Sequence, residues 1–291
     1  MTLTTLRTSL LDLLHELRVS DIKPIVGGGF GIFLKIEHTK VSGVRTLLTT
    51  WPEPRSTNDL DLFLRPELLC ESKRLRPLAE AISRLGYEVI PEAAKYQFVR
   101  ILSPENQAAN VKLDLLTGPE SRFQGTNVKV DVRRARPNPS VGVHAHPVNE
   151  VPTLEEGLLS ITLAGTLSSG AAWQGEVHLP HPFSFLMMKL FAFRDRLDDA
   201  TKDSGRYHAL DLYSILATTT ESEWDHGIDL RNRFRLDPTV KEAGHLVSTY
   251  FSKNQDVGIL RIKESQYYRT DFQLTDFMGA LADLFPNRGL T

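Results

Sequence analysis

The segment from Asp59 to Leu64, in which acidic and apolar residues alternate (Asp-Leu-Asp-Leu-Phe-Leu), constrains the fold most. A period of two is typical of a β-strand, whose successive side chains point to opposite faces. Asp59 and Asp61 should therefore share one face, while Leu60 and Leu62 point into a core. Two carboxylates so close together repel each other unless a cation lies between them, and Mg²⁺ is expected because it prefers oxygen ligands. A solvated strand edge with two aspartates is the alternative.

Three glycines lie upstream, between a short apolar strand and a helix predicted over about Phe30–Glu37. Glycines at such a turn let the backbone approach a phosphate, and the N-terminus of a helix attracts anions. Such a turn is therefore typical of a backbone that approaches a phosphate. The spacing fits neither a Walker A loop nor a dinucleotide-binding fingerprint.

A third carboxylate, Asp114, lies in the predicted strand Val111–Leu116. On a strand next to Asp59 and Asp61 it would complete a site for two metal ions. The order of glycine turn, aspartate pair and third strand aspartate resembles the nucleotidyltransferase superfamily typified by DNA polymerase beta.

Overall composition limits the possible partners and cellular location. The net charge is −2, so any nucleic-acid contact needs a local basic patch. Residues 122–136 offer one, either as a solvated face or as a contact for RNA phosphates. The single cysteine, Cys70, excludes an internal disulfide. No signal peptide and no apolar stretch of about 18 residues is evident, so we expect a cytoplasmic protein without membrane contact.

The second half of the chain is predicted to be mostly helical from Pro182 onward. There Lys189 interrupts an apolar helix face, where a cation is costly unless it is paired or faces a cleft. Arg196 lies two turns later on the same face, and Asp211 lies on the next helix. Two cations in line would suit a triphosphate. A lysine reaching along the helix to water, or a buried structural pair of Lys189 with Asp211, are the alternatives.

Several motifs in order resemble the AbiEii family of nucleotidyltransferase toxins, which includes the MenT toxins. The motifs are Gly27-Gly28-Gly29, Arg55-Ser56-Thr57-Asn58-Asp59-Leu60-Asp61, Lys112-Leu113-Asp114, Pro182 with Lys189, Ala192 and Arg194, Lys202-Asp203, and Asp211-Leu212. One departure is the spacing of about 30 residues between the glycines and Asp59, roughly twice the usual value. The excess lies in residues 40–54, within a stretch (residues 38–55) that looks like an insertion or a hairpin.

The resemblance implies an α+β protein of two lobes. Residues 1–150 would form a nucleotidyltransferase domain with a mixed sheet and helices, and residues 151–291 a mostly helical domain closing over the nucleotide. Asp59, Asp61 and Asp114 would hold Mg²⁺, with Asp114 either a second metal ligand or the base for the acceptor hydroxyl. Lys189 would offset phosphate charge, and Asp211 would orient Lys189 or the nucleotide.

The remaining expectations concern the nucleotide and the partners. Gly28 and Gly29, with Ser56 or Thr57, would bind the phosphates of an NTP, assisted by cations that include Arg55, Lys189 and Arg196. By family analogy the acceptor is the 3′ end of tRNA, which makes the chain a translation-blocking toxin with a cognate antitoxin and a role in phage defence. A nucleotidyltransferase acting on a small molecule or a protein hydroxyl, a non-catalytic nucleotide-binding module, and a purely structural partner-binding protein are the rival hypotheses.

Overall fold

A computed structural model describes residues 3–55, 57–103, 105 and 110–287. The predicted α+β class is confirmed, since these residues form a mixed sheet and ten α-helices. The helices are α1 (Leu3–Leu17), α2 (Gly28–Ser42), α3 (Pro66–Cys70), α4 (Ser72–Arg84), α5 (Pro182–Arg196), α6 (Arg206–Ala217), α7 (Glu221–Arg233), α8 (Pro238–Tyr250), α9 (Val257–Lys263) and α10 (Leu274–Leu284). The strands are β1 (Ile25–Val26), β2 (Asp59–Leu64), β3 (Tyr87–Val89), β4 (Gln97–Arg100), β5 (Val111–Thr117), β6 (Lys129–Asp131), β7 (Arg134–Arg136), β8 (His146–Pro147), β9 (Leu159–Thr166) and β10 (Ala172–Leu179).

Eight of these strands form one sheet, in the order β3-β4-β5-β2-β1-β10-β9, with β8 pairing to β5. Strand β2 is parallel to β5 and antiparallel to β1, while β1 is parallel to β10. Strands β6 and β7 form a separate hairpin. The sheet is therefore mixed, and β2 lies near its middle.

The chain divides into two compact units, and neither is a continuous stretch. The first comprises residues 1–31, 56–149 and 158–180, and the second comprises residues 32–55, 150–157 and 181–291. This division differs from a single boundary at residue 150. The β9–β10 hairpin belongs to the first unit because β10 pairs with β1, with Ile25 opposite His178.

Strand β2 follows the predicted alternation. Leu60, Leu62 and Leu64 are buried, whereas Asp59 and Asp61 are half-buried. Helix α1, predicted over residues 2–18, buries six leucines in the first unit and contacts β9 and β10. Its leucines recur at helical spacing, so they form one apolar stripe.

The segment that follows the glycine turn does not form a hairpin. Helix α2 continues past the predicted end at Glu37 to Ser42, and an irregular segment then runs to Arg55. This segment is held in the second unit, where the Leu47 N–H donates to the Thr219 carbonyl at 2.9 Å. The segment is therefore an integral part of the second unit.

Six helices, α5–α10, make up most of the second unit. Helix α5 buries residues on most of its faces, as expected for a helix inside a helical cluster. Stacked aromatic rings contribute to the core, among them Tyr213 and Phe272, whose centroids are 4.2 Å apart. Among the described residues, no helix is long and apolar enough to cross a membrane.

Candidate functional site

The three predicted carboxylates lie on one face of the sheet in the first unit. Asp61 on β2 is the register partner of Asp114 on β5. Register partners on neighbouring strands share a face, and strands lie about 4.8 Å apart, so these two side chains are neighbours. Asp59 precedes Asp61 by two residues and therefore points the same way. The structure thus brings together Asp59, Asp61 and Asp114.

Mutual repulsion and burial change the ionisation of this acidic cluster. Burial, followed by the negative charge of Asp61 and then that of Asp59, raises the pKa of Asp114 to about 7. The Gln97 side-chain amide opposes this shift by donating to Asp114 Oδ2 at 3.1 Å. Repulsion between the carboxylates thus favours the protonated form of Asp114, and a bound cation would relieve this repulsion.

Unsatisfied oxygens indicate that these carboxylates fit a hard cation. Within the part of the chain that the structure describes, Asp59 Oδ1 and Asp114 Oδ1 are buried and have no hydrogen-bond partner. Such groups are costly, and oxygen ligands of this kind are those that Mg²⁺ takes. Still, no set of three His, Cys, Asp or Glu side chains among the described residues converges as a formed metal site. The donor chemistry fits Mg²⁺, but a coordination shell is not preformed.

The glycine turn lies against this cluster. The Gly27 N–H donates to the Asp61 main-chain carbonyl at 2.8 Å. Gly28, the first residue of α2, has φ +60°, and a Cβ there would lie 1.6 Å from Asp61 Oδ2. Only glycine allows both this conformation and this approach. Gly28 and Gly29 thus place the first turn of α2 beside Asp61, despite the long spacing to Asp59.

The predicted polar contacts before β2 are only partly described. Ser56 lies outside the described residues. Thr57 Oγ1 accepts from the Asp59 N–H at 3.4 Å, a local contact that precedes the strand. Thr57 therefore contacts the backbone at the beginning of β2.

In the second unit, Asp211 is the centre of a buried ion cluster. Lys189 Nζ lies 2.8 Å from Asp211 Oδ2. Arg55 binds the same carboxylate with two parallel hydrogen bonds, both 2.9 Å long. The exposed side-chain fractions are 8% for Lys189 and 3% for Asp211, so the pair is largely shielded from water. The structural pair considered from the sequence is thus present, with Arg55 as a third member.

The two cations determine the ionisation of Asp211. Burial by itself would raise the pKa of this carboxyl, but the charges and hydrogen bonds of Lys189 and Arg55 outweigh burial and hold it well below its usual range. The three side chains together carry one excess positive charge.

Sequence reasoning missed His208, which belongs to the same cluster. Burial, followed by the charge of Lys189 and, more weakly, those of Arg55 and Arg196, lowers the pKa of His208 to about 3 against the opposing charge of Asp211. Its Nδ1 is buried without a hydrogen-bond partner in the described structure. The available signal was its position three residues before Asp211 on a helix, because such residues are neighbours. The predicted residues therefore form two groups, one in each unit.

We expect the contribution of Asp114 to the stability of the protein without metal to fall as pH rises. The pKa of Asp114 is raised in the folded chain to about 7, so between about pH 4 and about pH 7 the folded state holds a proton that the unfolded state releases. The contribution of this proton to the free energy of unfolding is fully present below about pH 4 and is lost as pH rises through about 7. Thermal unfolding of Asp114→Asn and wild type should show the variant gaining relative stability from about pH 5 to about pH 8. A pH-independent difference would contradict this assignment.

We expect Gly28→Ala to destabilise the first unit, because the new Cβ would collide with the Asp61 carboxylate at a backbone conformation that disfavours side chains. The loss should exceed the roughly 1–3 kcal/mol typical of strain alone. Gly86→Ala is the matched control, since Gly86 has φ +74° and no atom within 4 Å of its Cβ position. Urea unfolding of both variants separates strain from collision, and equal losses would disprove the close approach.

We expect Asp211→Asn to cost about 3–5 kcal/mol, because it leaves Lys189 and Arg55 buried without a counter-charge. Asp271→Asn is the control, since Asp271 pairs with Arg269 at the surface and should contribute less than about 1 kcal/mol. Urea unfolding midpoints measure both changes. A loss as small as that of the control would show that the buried ion cluster is not structural.

Comparison with known proteins provides no relative, since no protein-family model, no curated protein and no solved structure matches this chain. Function must therefore be argued from the residues and their geometry. The resemblance of the motifs supplies only the candidate reaction.

Proposed function

We propose that this chain is a Mg²⁺-dependent nucleotidyltransferase whose metal and phosphate site lies in the first unit. The observation that carries the proposal is the group of Asp59, Asp61 and Asp114 on one sheet face beside the glycine turn. Two of these carboxylates keep a buried oxygen without a partner in the described structure. Buried carboxylates need compensating charge, and a divalent cation supplies it.

Each residue of this group has a proposed role. Asp59 and Asp61 would hold the metal, and the backbone N–H groups near Gly28 and Gly29 would bind the phosphates of an NTP. When bound, Mg²⁺ supplies charge that stabilises the attacking and leaving oxygens. An acceptor hydroxyl would attack the α-phosphorus, forming a new P–O bond while the bond to pyrophosphate breaks.

Asp114 would take up the proton that the acceptor hydroxyl releases. Its pKa of about 7 matches a general base at neutral pH, and its unpartnered Oδ1 is available for the proton. Holding a second metal ion is the other role proposed for this residue.

The roles proposed for the second unit follow from the family resemblance. Lys189 and Arg196 would offset phosphate charge, and Asp211 would orient Lys189, a role that their contact of 2.8 Å supports. Arg55 binds the same carboxylate, so its predicted phosphate contact would have to form alongside that ion pair. The proposal would assign the two lobes to the two compact units, whose bounds differ from a single boundary at residue 150.

The proposed acceptor is the 3′ end of tRNA, and the proposed biological role is that of an antitoxin-controlled toxin. Surface charge offers limited support. Arg134 and Arg136 pair with Asp131, and Arg122 pairs with Glu67. Asp131 and Glu67 thus offset part of the positive charge of the basic stretch that was considered for RNA. The hydroxyl of a small molecule or a protein is therefore the second candidate acceptor.

The test is incubation of the purified chain with total tRNA, Mg²⁺ and each α-labelled NTP in turn. We expect label in tRNA with wild type and a loss of at least about 100-fold in Asp61→Asn, because the metal loses a charged ligand. Asp21→Asn is the matched control, since Asp21 lies in the same unit and pairs with Arg74 at the surface. It should keep full activity.

Other outcomes separate the rival functions. Label in protein or in a small molecule, but not in tRNA, would show that the acceptor is a protein or a small molecule and not tRNA. Calorimetric binding of an NTP without transfer to any acceptor would indicate a non-catalytic nucleotide-binding module. Absence of both Mg²⁺-dependent NTP binding and transfer would overturn the proposal.

A further inference from the structure

Tyr207 is the one aromatic side chain that is exposed in the part of the chain that the structure describes. It lies in the first turn of α6, and its relative exposure is 41%. The other tyrosines, the tryptophans and the phenylalanines are all buried or half-buried. A single exposed apolar residue is ordinary on a protein surface, so the residues around Tyr207 determine what its exposure means.

The ring of Tyr207 borders the buried ion cluster of the second unit. The Arg55 guanidinium lies over this ring, with its central carbon 5.2 Å from the ring centroid. The same guanidinium binds Asp211 through two hydrogen bonds, and Lys189 binds Asp211 as well. Because two cations share one carboxylate, the cluster next to the ring keeps one excess positive charge.

A further cation adds to this excess. Burial and then nearby cations, among them Arg196, lower the pKa of His208. His208 follows Tyr207 in the chain, so Arg196 contributes positive charge close to the ring. Among the described residues, Arg196 forms no ion pair, whereas Arg206 is paired with two carboxylates. The surroundings of the ring therefore favour an anion.

The contact with Arg55 does not use the whole ring. A cation over an aromatic face is favourable, so this contact gives Tyr207 a structural role on one face. The rest of the ring remains in contact with solvent. A free phosphate or an acidic peptide would use the positive charge and leave the ring unused. A nucleotide uses both, because its phosphates are anionic and every nucleobase has a π-face that stacks on an aromatic side chain.

We propose that Tyr207 is the stacking platform for the nucleobase of the NTP, whose phosphates bind the excess positive charge of the ion cluster. This role rests on the proposed function, which assigns Lys189 and Arg196 to the phosphates, and it adds the residue that contacts the base. Stacking does not read the hydrogen-bonding edge of a base, so the contact serves all four bases. Tyr207 binds the substrate and takes no part in the transfer of the nucleotidyl group.

The experiment is calorimetric binding to the intact chain with Mg²⁺ and without an acceptor. The ligands are each of the four NTPs and inorganic tripolyphosphate, which carries phosphates but no base. We expect Tyr207→Leu to weaken the binding of all four NTPs about fivefold or more, because the stacking contact is lost. Tripolyphosphate should bind this variant as it binds wild type, since Arg55 stays bound to Asp211. Tyr207→Phe keeps the ring and should bind NTPs within about twofold of wild type.

The matched control is Tyr267→Leu, which removes a half-buried tyrosine from the same unit. It should bind every ligand like wild type. Far-ultraviolet circular dichroism should show all three variants folded.

The remaining outcomes separate stacking from other roles of the ring. Equal weakening of NTP and tripolyphosphate binding in Tyr207→Leu would show that the ring only supports the ion cluster, and would overturn the proposal. Unchanged NTP binding in Tyr207→Leu, or no NTP binding by wild type, would overturn it as well. If NTP binding depends on Tyr207 but no acceptor is ever labelled, the transfer reaction is disproved while the stacking contact stands.

Discussion

The parallel pairing of β2 with β5 is the constraint on which the candidate site depends. With Asp61 opposite Asp114, the three leucines of β2 face the core, and both of its aspartates face the opposite side together with Phe63. A shift of one residue would exchange the two faces and bury the acids. The hydrophobic effect thus selects the register, and the register in turn creates an arrangement of carboxylates that is electrostatically unfavourable by itself. Burial of the leucines stabilises this register, and repulsion between the aspartates destabilises it.

The two units hold buried charge in opposite ways. In the first unit, like charges are neighbours, and burial leaves Asp114 close to neutral at physiological pH. In the second unit, Asp211 is matched by Lys189 and Arg55, and it stays ionised. Close pairing of opposite charges is typical of structural ion clusters, whereas unrelieved repulsion between like charges beside a glycine turn is typical of functional sites. This contrast is why the proposed chemistry is assigned first to the carboxylates.

Much of this could be predicted from the sequence where the signal is local. Alternation over Asp59–Leu64 predicts the strand and its two faces, and leucine spacing predicts α1. The prediction of a mostly helical chain from Pro182 onward includes α7 without its bounds, although the capping box formed by Thr220 and Glu223 is a readable start signal. The pairing of Arg55 with Asp211 spans 156 residues, and no local pattern encodes it. The extent of α2 was underestimated, since the helix runs to Ser42 and not to Glu37.

The interleaved course of the chain has a practical consequence for dissecting this protein. Because the first unit draws its strands from residues 1–31, 56–149 and 158–180, a fragment ending at residue 150 would lack β9 and β10. The edge of β1 that β10 normally covers would then be bare, and its unpaired backbone groups would favour intermolecular association. The excised C-terminal part would likewise lose Arg55, leaving Asp211 with one cation instead of two. Neither unit can be cut out by a single break, so biochemical work on either requires the intact polypeptide.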